Sequence, residues 1–365
     1  MLEVLRAFTL AESPSTEKDA ADRCAEIIAA EWRKRDVSVS LIPQTSRGNH
    51  IRIEWKSPHA QSGRRLLVLG HYDTVYATGT LEKMPFRVDG EKAYGPGVFD
   101  MKAGIVQALF ALDALQQTTA RVEKQIVFLW TSDEEIGSQS SRELLETEAR
   151  KSDAVFVMEP SLGPKGLLKT ARKGVGEAEI IVHGKASHAG LAPEHGINAV
   201  HELAMQITKM LGWNNVRRGI TVNADVIQGG TRVNVIAERA RALIDLRALR
   251  ISDMRSIEKK LRSLKPIQRG AKLEVKGGFS RAPMERKVSS ALFAHARTLA
   301  SHMGIKLGEC TAGGGSDGNL TAALGVPTLD GLGAVGDGAH SAHEHIFTKK
   351  MPERAALLAA MLATS

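Results

Sequence analysis

The stretch QIVFLWTSDEE, from Gln125 to Glu135, is an apolar run that ends in two adjacent glutamates. The run from Ile126 to Trp130 predicts a strand buried on both faces, as in α/β sheets. Functional groups in such sheets follow the carboxyl ends of the strands. A cation beside Glu134 and Glu135 would relieve their mutual repulsion, as would solvent around a loop. If that cation is a metal, one carboxylate can bind it while its neighbour moves a proton, as metal-assisted hydrolysis requires.

The first 170 residues repeat this pattern of helices and apolar strands. Two other predicted strands are followed by a candidate metal ligand, His71 in GHYDTV and Glu159 in VFVMEP. The alternation is typical of an α/β sheet covered by helices. The predicted elements are the strands Asn49–Trp55, Arg65–Leu69, Gln125–Trp130 and Ala154–Met158 and the helices Asp19–Trp32 and Lys102–Gln116.

The pattern changes after residue 172, where strand-like runs alternate with two helical segments. This order indicates a small sheet with two helices on one face. The α/β pattern resumes at about Pro283. We therefore predict a discontinuous α/β domain, residues 1–172 plus 283–365, with an inserted α+β domain at residues 173–282. The predicted elements of the insertion are the strands Gly176–His183, Gly219–Ile227, Thr231–Glu238, Arg241–Arg247 and Ala271–Lys276 and the helices Gly196–Leu211 and Ser252–Leu264.

The composition is that of a globular protein. The 365 residues are 43% hydrophobic and 25% charged, and a chain of this length is expected to form two domains. Two cysteines, Cys24 and Cys310, imply no disulfide framework. No apolar run is long enough for a membrane span, and the N-terminal residues lack the apolar core of a signal peptide. We expect a cytoplasmic protein without a membrane segment.

The positive charge is concentrated in the predicted insertion. The net charge is +8, and residues 173–281 hold 19 basic and 10 acidic residues. This excess favours an anionic substrate, although a solvated basic surface would look the same. Nucleic-acid binding is not expected, because the segment lacks interleaved aromatic residues and nucleic-acid motifs.

Five residues are candidate metal ligands, and none is a cysteine. Histidine and carboxylate ligands suit hydrolytic zinc. Five ligands are too many for one tetrahedral zinc with an open position, but with one bridging carboxylate they suit two metals. Asp73 shares a face with His71 if the strand continues, so its carboxylate can hold the second ring nitrogen. The candidates are His71, Asp100, Glu135, Glu159 and His340.

Several candidates also have ordinary structural interpretations. Asp100 follows a glycine-rich turn and precedes a predicted helix, where aspartate is a common N-cap. Glu159 precedes a proline, as turn residues often do. His340 lies near His343 and His345, and spacing alone does not choose among the three.

These motifs, in this order, resemble the superfamily of zinc-dependent aminoacylases, desuccinylases and glutamate carboxypeptidases. The resemblance covers nearly the whole chain, including the insertion. Within the superfamily the sequence is most similar to bacterial glutamate carboxypeptidases, which remove C-terminal glutamate from folate-type substrates. The matching segments are GHYDTVYATGTLEKMPFRVDGEKAYGPGVFDMKAG (residues 70–104), TSDEEIGS, VMEP, GKASHAG, NVIAERARALIDLR, GGGSDGN and GAHSAHEHI.

The resemblance implies two zinc ions, with cobalt or manganese as alternatives. His71 and Glu159 would bind one ion, and Glu135 and His340 would bind the other. Asp100 would bridge the two ions. The superfamily's pattern of histidine, serine and a glutamate three residues later favours His340 over the other histidines.

Further roles follow from the same resemblance. Glu134 would be the general base, and Asp73 would support His71. Relatives often have aspartate after the bridging aspartate, joined by a cis peptide, whereas this chain has Met101.

The insertion resembles a lid and dimerisation domain. His188 in GKASHAG matches a histidine that contacts the substrate carbonyl from the opposite subunit of a homodimer. Asn234, Arg247 and Arg281 match positions that contact the substrate's carboxylate. Alternatively, Arg247 is a surface charge and Asn234 a turn residue.

The expected function is hydrolysis of an amide bond next to a free carboxylate, by a glutamate carboxypeptidase-like exopeptidase acting on small anionic amides or peptides. One alternative is an N-acyl-amino-acid deacylase of the acetylornithine deacetylase or succinyl-diaminopimelate desuccinylase type. Another is a dimer that binds a small anion without turnover, but no expected ligand or base is missing from the sequence.

Overall fold

The computed structural model describes residues 1–118 and 121–365. The chain forms two compact units. The first, which we call the sheet unit, consists of Met1–Thr170, Arg286–Ala312 and Ser316–Ser365. The second, which we call the inserted unit, consists of Ala171–Glu285 and Gly313–Gly315.

Helices and strands alternate along most of the chain. Within the described residues no helix combines the length and apolar character that a bilayer span requires. The helices are α1 Leu2–Leu10, α2 Lys18–Trp32, α3 Ala103–Gln117, α4 Arg142–Arg150, α5 Ala199–Leu211, α6 Ile251–Arg262, α7 Arg286–His302, α8 Asp317–Ala323 and α9 Lys350–Thr364. The strands are β1 Ser38–Ile42, β2 His50–Lys56, β3 Arg65–His71, β4 Arg87–Asp89, β5 Lys92–Tyr94, β6 Gln125–Thr131, β7 Ala154–Val157, β8 Leu168–Arg172, β9 Gly174–His183, β10 Thr221–Gly229, β11 Arg239–Ala248, β12 Lys272–Arg281, β13 Glu309–Ala312, β14 Thr328–Leu329, β15 Gly336–Asp337 and β16 His345–Phe347.

The sheet unit is built on a six-stranded sheet with the order β1-β2-β6-β3-β7-β14. Strands β6, β3, β7 and β14 are parallel, and β1 and β2 complete one side in antiparallel fashion. His71 lies opposite Thr131, and Leu69 lies opposite Val157. The carboxyl ends of β3, β6 and β7 therefore meet at one edge of the sheet, as the sequence predicted for this α/β fold.

Helices cover both faces of this sheet, and the interiors of its central strands are apolar. All seven residues of β3 are buried. Leu66 and Val68 pack into the core beneath α1, α2, α3, α7 and α9, while Leu67 and Leu69 pack against α4 and α8. Burying each such side chain contributes roughly 1.5–3 kcal/mol. The edge that carries the polar residues thus rests on a rigid, double-sided core.

The inserted unit is an α+β layer, as the sequence predicted. Its antiparallel sheet has the order β10-β11-β9-β12. Alternate residues of β9, such as Ile180 and Val182, share one hydrophobic cluster with Leu203 of α5 and Ile257 of α6. Both helices therefore cover the same face of the sheet.

The strand predicted at Thr231–Glu238 was wrong. These residues form the loop between β10 and β11, and within them Val235 makes one isolated bridge, to His188. The alternating sequence suits a strand, but the segment connects two neighbouring antiparallel strands, and its backbone bonds instead to the segment around His188, as between Ile236 N–H and the Ser187 carbonyl (2.9 Å). Val233 is accordingly fully exposed rather than packed on a sheet face.

Candidate metal centre

Asp73 organises the carboxyl edge of the sheet. Its buried carboxylate accepts hydrogen bonds from the backbone N–H groups of Glu134 (3.2 Å) and Glu135 (3.3 Å) and from the Ser15 hydroxyl (2.7 Å). The Nδ1 of His71 lies 3.0 Å from the Asp73 carbonyl oxygen and 3.4 Å from its carboxylate. Because a carbonyl only accepts, Nδ1 carries the proton, and Nε2 is the nitrogen that can bind a metal.

Asp100 lies in the glycine-rich turn before α3, and Glu344 holds that turn in place. The buried Glu344 carboxylate accepts hydrogen bonds from the N–H groups of Gly97 (3.0 Å), Phe99 (2.8 Å) and Asp100 (2.9 Å). The peptide bond between Asp100 and Met101 is cis. The Asp100 side chain does not cap α3, so the alternative interpretation as an N-cap does not apply.

Asp100 stands between two pairs of predicted ligands. On one side, His71 Nε2 lies 3.4 Å from Asp100 Oδ1 and 3.4 Å from Glu159 Oε1. On the other side, His340 Nε2 lies 3.4 Å from Asp100 Oδ2 and 3.1 Å from Glu135 Oε1. The structure thus brings all five predicted ligands together in two groups that share one carboxylate.

The donor atoms of this cluster fit a divalent metal. Two buried atoms, His71 Nε2 and Asp100 Oδ1, have no hydrogen-bond partner in the part of the chain that the structure describes. A buried polar atom without a partner costs about 1–3 kcal/mol. Ligand atoms of His71, Asp100 and Glu135 all lie within 4.8 Å of one another, as do those of His71, Glu134 and Glu159. Imidazole nitrogens and carboxylate oxygens at such spacing are suitable zinc ligands.

The electrostatics of the cluster also favour a cation. Burial opposes a charge on His71, but Asp100 and the neighbouring carboxylates outweigh it and raise the pKa of His71 well above its ordinary value. Asp100 and Glu135 raise the pKa of His340 to about 10. Burial raises the pKa of Glu135. Without a metal, protons must neutralise this concentration of carboxylates, and a metal ion would replace them.

Glu134 and Glu135 occupy different positions although they are adjacent in sequence. Glu135 belongs to the group around Asp100 and His340, while Glu134 offers an oxygen near His71 and Glu159. The turn after β6, held by Asp73, produces this divergence. Such an arrangement would allow one carboxylate to bind metal while the other, beside it, moves a proton.

The three histidines near residue 340 differ in their surroundings. His340 faces the carboxylates, whereas Nδ1 of His343 lies 3.0 Å from the Ser341 hydroxyl. His345 Nδ1 lies 2.9 Å from the His343 carbonyl, and its ring packs between aromatic neighbours. The tertiary structure therefore brings His340, and neither of the others, to the cluster.

Sequence reasoning missed the supporting roles of three residues. Glu344 is the glutamate of the motif that favours His340, but no supporting role was predicted for it, and Tyr76, whose hydroxyl donates to Glu344 (2.7 Å), was not identified. Lys169 is buried, with Nζ 3.8 Å from Glu159 Oε2. Spacing could not have identified Tyr76, because it acts through Glu344, 268 positions away. Lys169 lies ten positions from Glu159, but no motif in the sequence links the two residues.

The inserted unit brings His188 and Asn234 together. The N–H of Ala189 donates to the Asn234 carbonyl (3.0 Å). His188 is exposed, and its Nδ1 accepts hydrogen bonds from the N–H groups of Gly190 (3.2 Å) and Leu191 (3.1 Å). The neutral ring therefore carries its proton on Nε2, which is a hydrogen-bond donor.

The two predicted arginines also lie together, at the other end of the same sheet. Arg247 on β11 and Arg281 on β12 are both opposite Val175 at the start of β9, whereas His188 follows the end of that strand. The Arg247 guanidinium pairs with Asp245 at 2.8–3.0 Å, and Arg281 is buried. The strand from Val175 to His183 spans about 27 Å. One chain therefore does not bring the arginines to His188.

The motifs and the fold agree with comparisons to known proteins. The sequence profile of peptidase family M20/M25/M40 matches residues 67–364. Carboxypeptidase G2 of Pseudomonas sp. (strain RS-16) is 32% identical over 310 residues, which cover 83% of this chain and 74% of that protein.

Solved structures share the fold at lower sequence identity. Aminopeptidase PepT from Bacillus cereus ATCC 10987 has a TM-score of 0.82 at 20% identity, covering 99% of this chain and 96% of that one. The YXEP protein of Bacillus subtilis, a dinuclear metal binding peptidase from the M20 family, has a TM-score of 0.75 at 16% identity. The match covers 99% of this chain and 96% of that one. The resemblance seen in the motifs is confirmed: the chain belongs to peptidase family M20/M25/M40 and is a metallopeptidase that hydrolyses amide bonds.

Proposed function

We propose that the protein is a di-zinc exopeptidase that cleaves the amide bond next to a free carboxylate, with C-terminal glutamate as the preferred leaving residue. The observation that carries this proposal is the position of Asp100 between the His71 and His340 groups, with Glu134 beside them. The similarity to carboxypeptidase G2 supports release of a C-terminal residue over removal of an acyl group. Cobalt and manganese are the alternatives to zinc.

The five ligands and Glu134 would divide the chemistry. When bound, two zinc ions would polarise the scissile carbonyl and lower the pKa of a water. Glu134 takes the proton of the attacking water and later delivers it to the leaving amine, a role worth about 10²–10⁴ in rate. Asp73 fixes the orientation of His71 and the turn that holds Glu134.

The inserted unit would supply the contacts to the substrate. The Nε2–H of His188 donates to the oxyanion that forms on the scissile carbonyl, and one such donor is worth about 3 kcal/mol. Asn234, beside His188, adds a polar contact. Arg247 and Arg281 hold the substrate's carboxylate, and Arg247 would divide its donors between Asp245 and the substrate.

A homodimer is part of the proposal. About 27 Å of strand separates His188 and Asn234 from the two arginines. A small substrate that contacts both groups must therefore contact one group from each of two chains. In the part of the chain that the structure describes, one edge of the outer strand β10 pairs with no strand, and Val226 and Ile227 on this strand are 42% and 57% exposed. Exposed apolar residues on an open edge favour pairing with a second copy.

A substrate panel tests the activity. The zinc-loaded protein is assayed with folyl- and N-acyl-glutamates, N-acetyl-ornithine, N-succinyl-diaminopimelate and dipeptides, with and without chelator. We expect chelator-sensitive release of glutamate. Release of acetate or succinate without release of glutamate would support metal-dependent hydrolysis but would identify N-acyl amino acids as the substrate class. No turnover of any compound would contradict the proposed activity.

Two variants test the roles of the residues. Glu134→Ala should retain zinc and lose about 10²–10⁴ in kcat. Near-normal turnover in that variant would contradict its role as the base.

His188→Ala should lower kcat by about 10²–10³ with full zinc content. Loss of zinc instead would make His188 a ligand.

A further inference from the structure

The sheet unit contains a cavity of about 780 Å³ that shares no residue with the metal centre. Its walls are residues 164–167, residues 303–308, Val335 and one side of the first turns of α9. This volume lies in the range of small-molecule sites, about 300–1,000 Å³. Nothing in the proposed hydrolysis uses the cavity.

Arg354 on α9 lines the cavity and carries a buried positive charge. The side chain is 6% exposed, and its Nη2 donates to the Gly166 carbonyl. Its Nη1 is buried and has no hydrogen-bond partner among the residues described. Burial lowers the pKa of Arg354 to about 10, so the guanidinium remains charged at neutral pH. A buried charge with an unmade hydrogen bond is an unfavourable arrangement that an anion would relieve.

Other cations line the same cavity. Lys165 and Lys306 are exposed there. The acidic lining residue Glu353 is paired with Lys350, at 2.8 Å. The lining charge is therefore positive, which complements an anion.

Much of the remaining wall is apolar. Leucine, isoleucine and methionine side chains from three segments face the same space, so a ligand there would bury hydrocarbon as well as a charge. These residues are Leu167, Met303, Ile305, Leu307 and Leu357.

We propose that this cavity binds a small organic anion with an apolar body, namely an alkyl or aryl carboxylate. The carboxylate meets Arg354 and Lys306, and the hydrocarbon body lies against the apolar wall. The site is separate from the metal centre and goes beyond the proposed hydrolysis. Its occupant bridges α9 and the turn that carries Gly166.

Calorimetric titration of the zinc-loaded protein tests this inference. Decanoate and 4-phenylbutyrate represent the alkyl and aryl forms, and acetate is the anion without an apolar body. We expect one site per chain for decanoate or 4-phenylbutyrate and at least about tenfold weaker binding of acetate. The stronger of the first two ligands identifies the hydrocarbon class.

Charge reversal at the exposed lysines locates the site. The double variant Lys165→Glu/Lys306→Glu should weaken binding by at least about tenfold. Lys56→Glu, at an exposed lysine outside the cavity, should leave it unchanged. Arg354→Met should weaken binding further. If the Arg354→Met protein does not fold, the double lysine variant alone tests the location of the site.

Three results would overturn the proposal. The first is equal affinity of the double lysine variant and the natural protein. The second is loss of binding in His71→Ala, which would put the anion at the metal centre. The third is acetate binding as tightly as decanoate. Calorimetry detects binding without turnover, so failure of the proposed hydrolysis would not affect this test.

Discussion

At the scale of single residues, the cluster depends on carboxylates outside the proposed set of metal ligands. Asp73 fixes His71 and the turn of Glu134 and Glu135. Glu344 fixes the turn of Asp100, and it lies on the same segment as His340. Such supporting groups orient the ligands and typically affect metal affinity by 10- to 100-fold.

Glu344→Gln should weaken metal binding by about 10- to 100-fold. The amide can accept hydrogen bonds at only one of its two terminal atoms, so the turn that carries Asp100 loses partners. Tyr76→Phe, which removes one hydrogen bond to Glu344, should have a smaller effect. Competition with a chromogenic chelator measures the affinity. Glu91→Gln, at an exposed glutamate, is the control, and wild-type affinity in Glu344→Gln would contradict this role.

Metal binding should release protons. Asp100 and Glu135 raise the pKa of His340 to about 10, so this ring is protonated in the metal-free protein at pH 7.5. Burial opposes a charge on His71, but the neighbouring carboxylates outweigh it and raise its pKa as well. Both rings must be neutral to bind metal, so we expect proton release on binding and a metal affinity that rises with pH. Calorimetry in buffers of different ionisation enthalpy counts the protons, and the absence of release would contradict the assignment.

The same pKa shift predicts the pH dependence of the metal-free protein's stability. The folded pKa of His340 exceeds its ordinary value of 6.5, so its ion pairs stabilise the fold fully below pH 6.5. That contribution is lost as the pH rises from 6.5 through about 10. Chemical denaturation of the metal-free protein across this range should show the decline, and His340→Ala should reduce it.

At the scale of elements, the parallel register of β3, β6 and β7 makes the site. Residues that follow three separate strands meet because those strands end at the same level. In the inserted unit, the antiparallel sheet has the opposite effect. It separates His188 from the arginines by the length of β9.

Ile227→Lys should convert the proposed dimer into a monomer without unfolding it. Ile227 is exposed on the open strand β10, where a lysine is readily solvated but discourages edge-to-edge pairing. Sedimentation velocity measures the mass. Val88→Lys, at a similarly exposed strand residue of the sheet unit, is the control. An unchanged dimer in Ile227→Lys would exclude this edge as the interface.

At the scale of the whole molecule, the residues of the proposed reaction belong to two different units. All five proposed ligands and Glu134 belong to the sheet unit, whereas His188, Asn234 and both arginines belong to the inserted unit. Each unit has its own hydrophobic core. Metal binding should therefore stabilise the sheet unit directly.

Chelation should lower the thermal transition of the sheet unit. An ion present at about 1,000 times its Kd contributes about 4 kcal/mol, which for a unit of this size corresponds to roughly 10 °C. Differential scanning calorimetry with and without chelator measures the shift. His71→Ala should abolish the shift, whereas His188→Ala should retain it. A shift that survives in His71→Ala would place the metal elsewhere.

The local pattern of the sequence was enough to predict the α/β class, the insertion and most strands. Apolar runs such as Ile126–Trp130 identify buried strands whatever their neighbours, because burial on both faces requires apolar side chains throughout. The strand predicted at Thr231–Glu238 was wrong because its pattern is not that of a strand buried on both faces. Alternation describes the two faces of a possible strand but does not reveal which segment its backbone will bond to.

The sequence by itself determined which residue types were available for the metal centre: two histidines and several carboxylates after apolar strands. Only the tertiary structure decided which of them meet. It brought His340 to the cluster, which spacing alone left open and the motif resemblance favoured, placed Glu134 and Glu135 in different positions, and brought Glu344 to the turn of Asp100. Those outcomes depend on strand register and on backbone turns held by residues 61 to 247 positions away, and distances between such segments are not encoded in any local pattern.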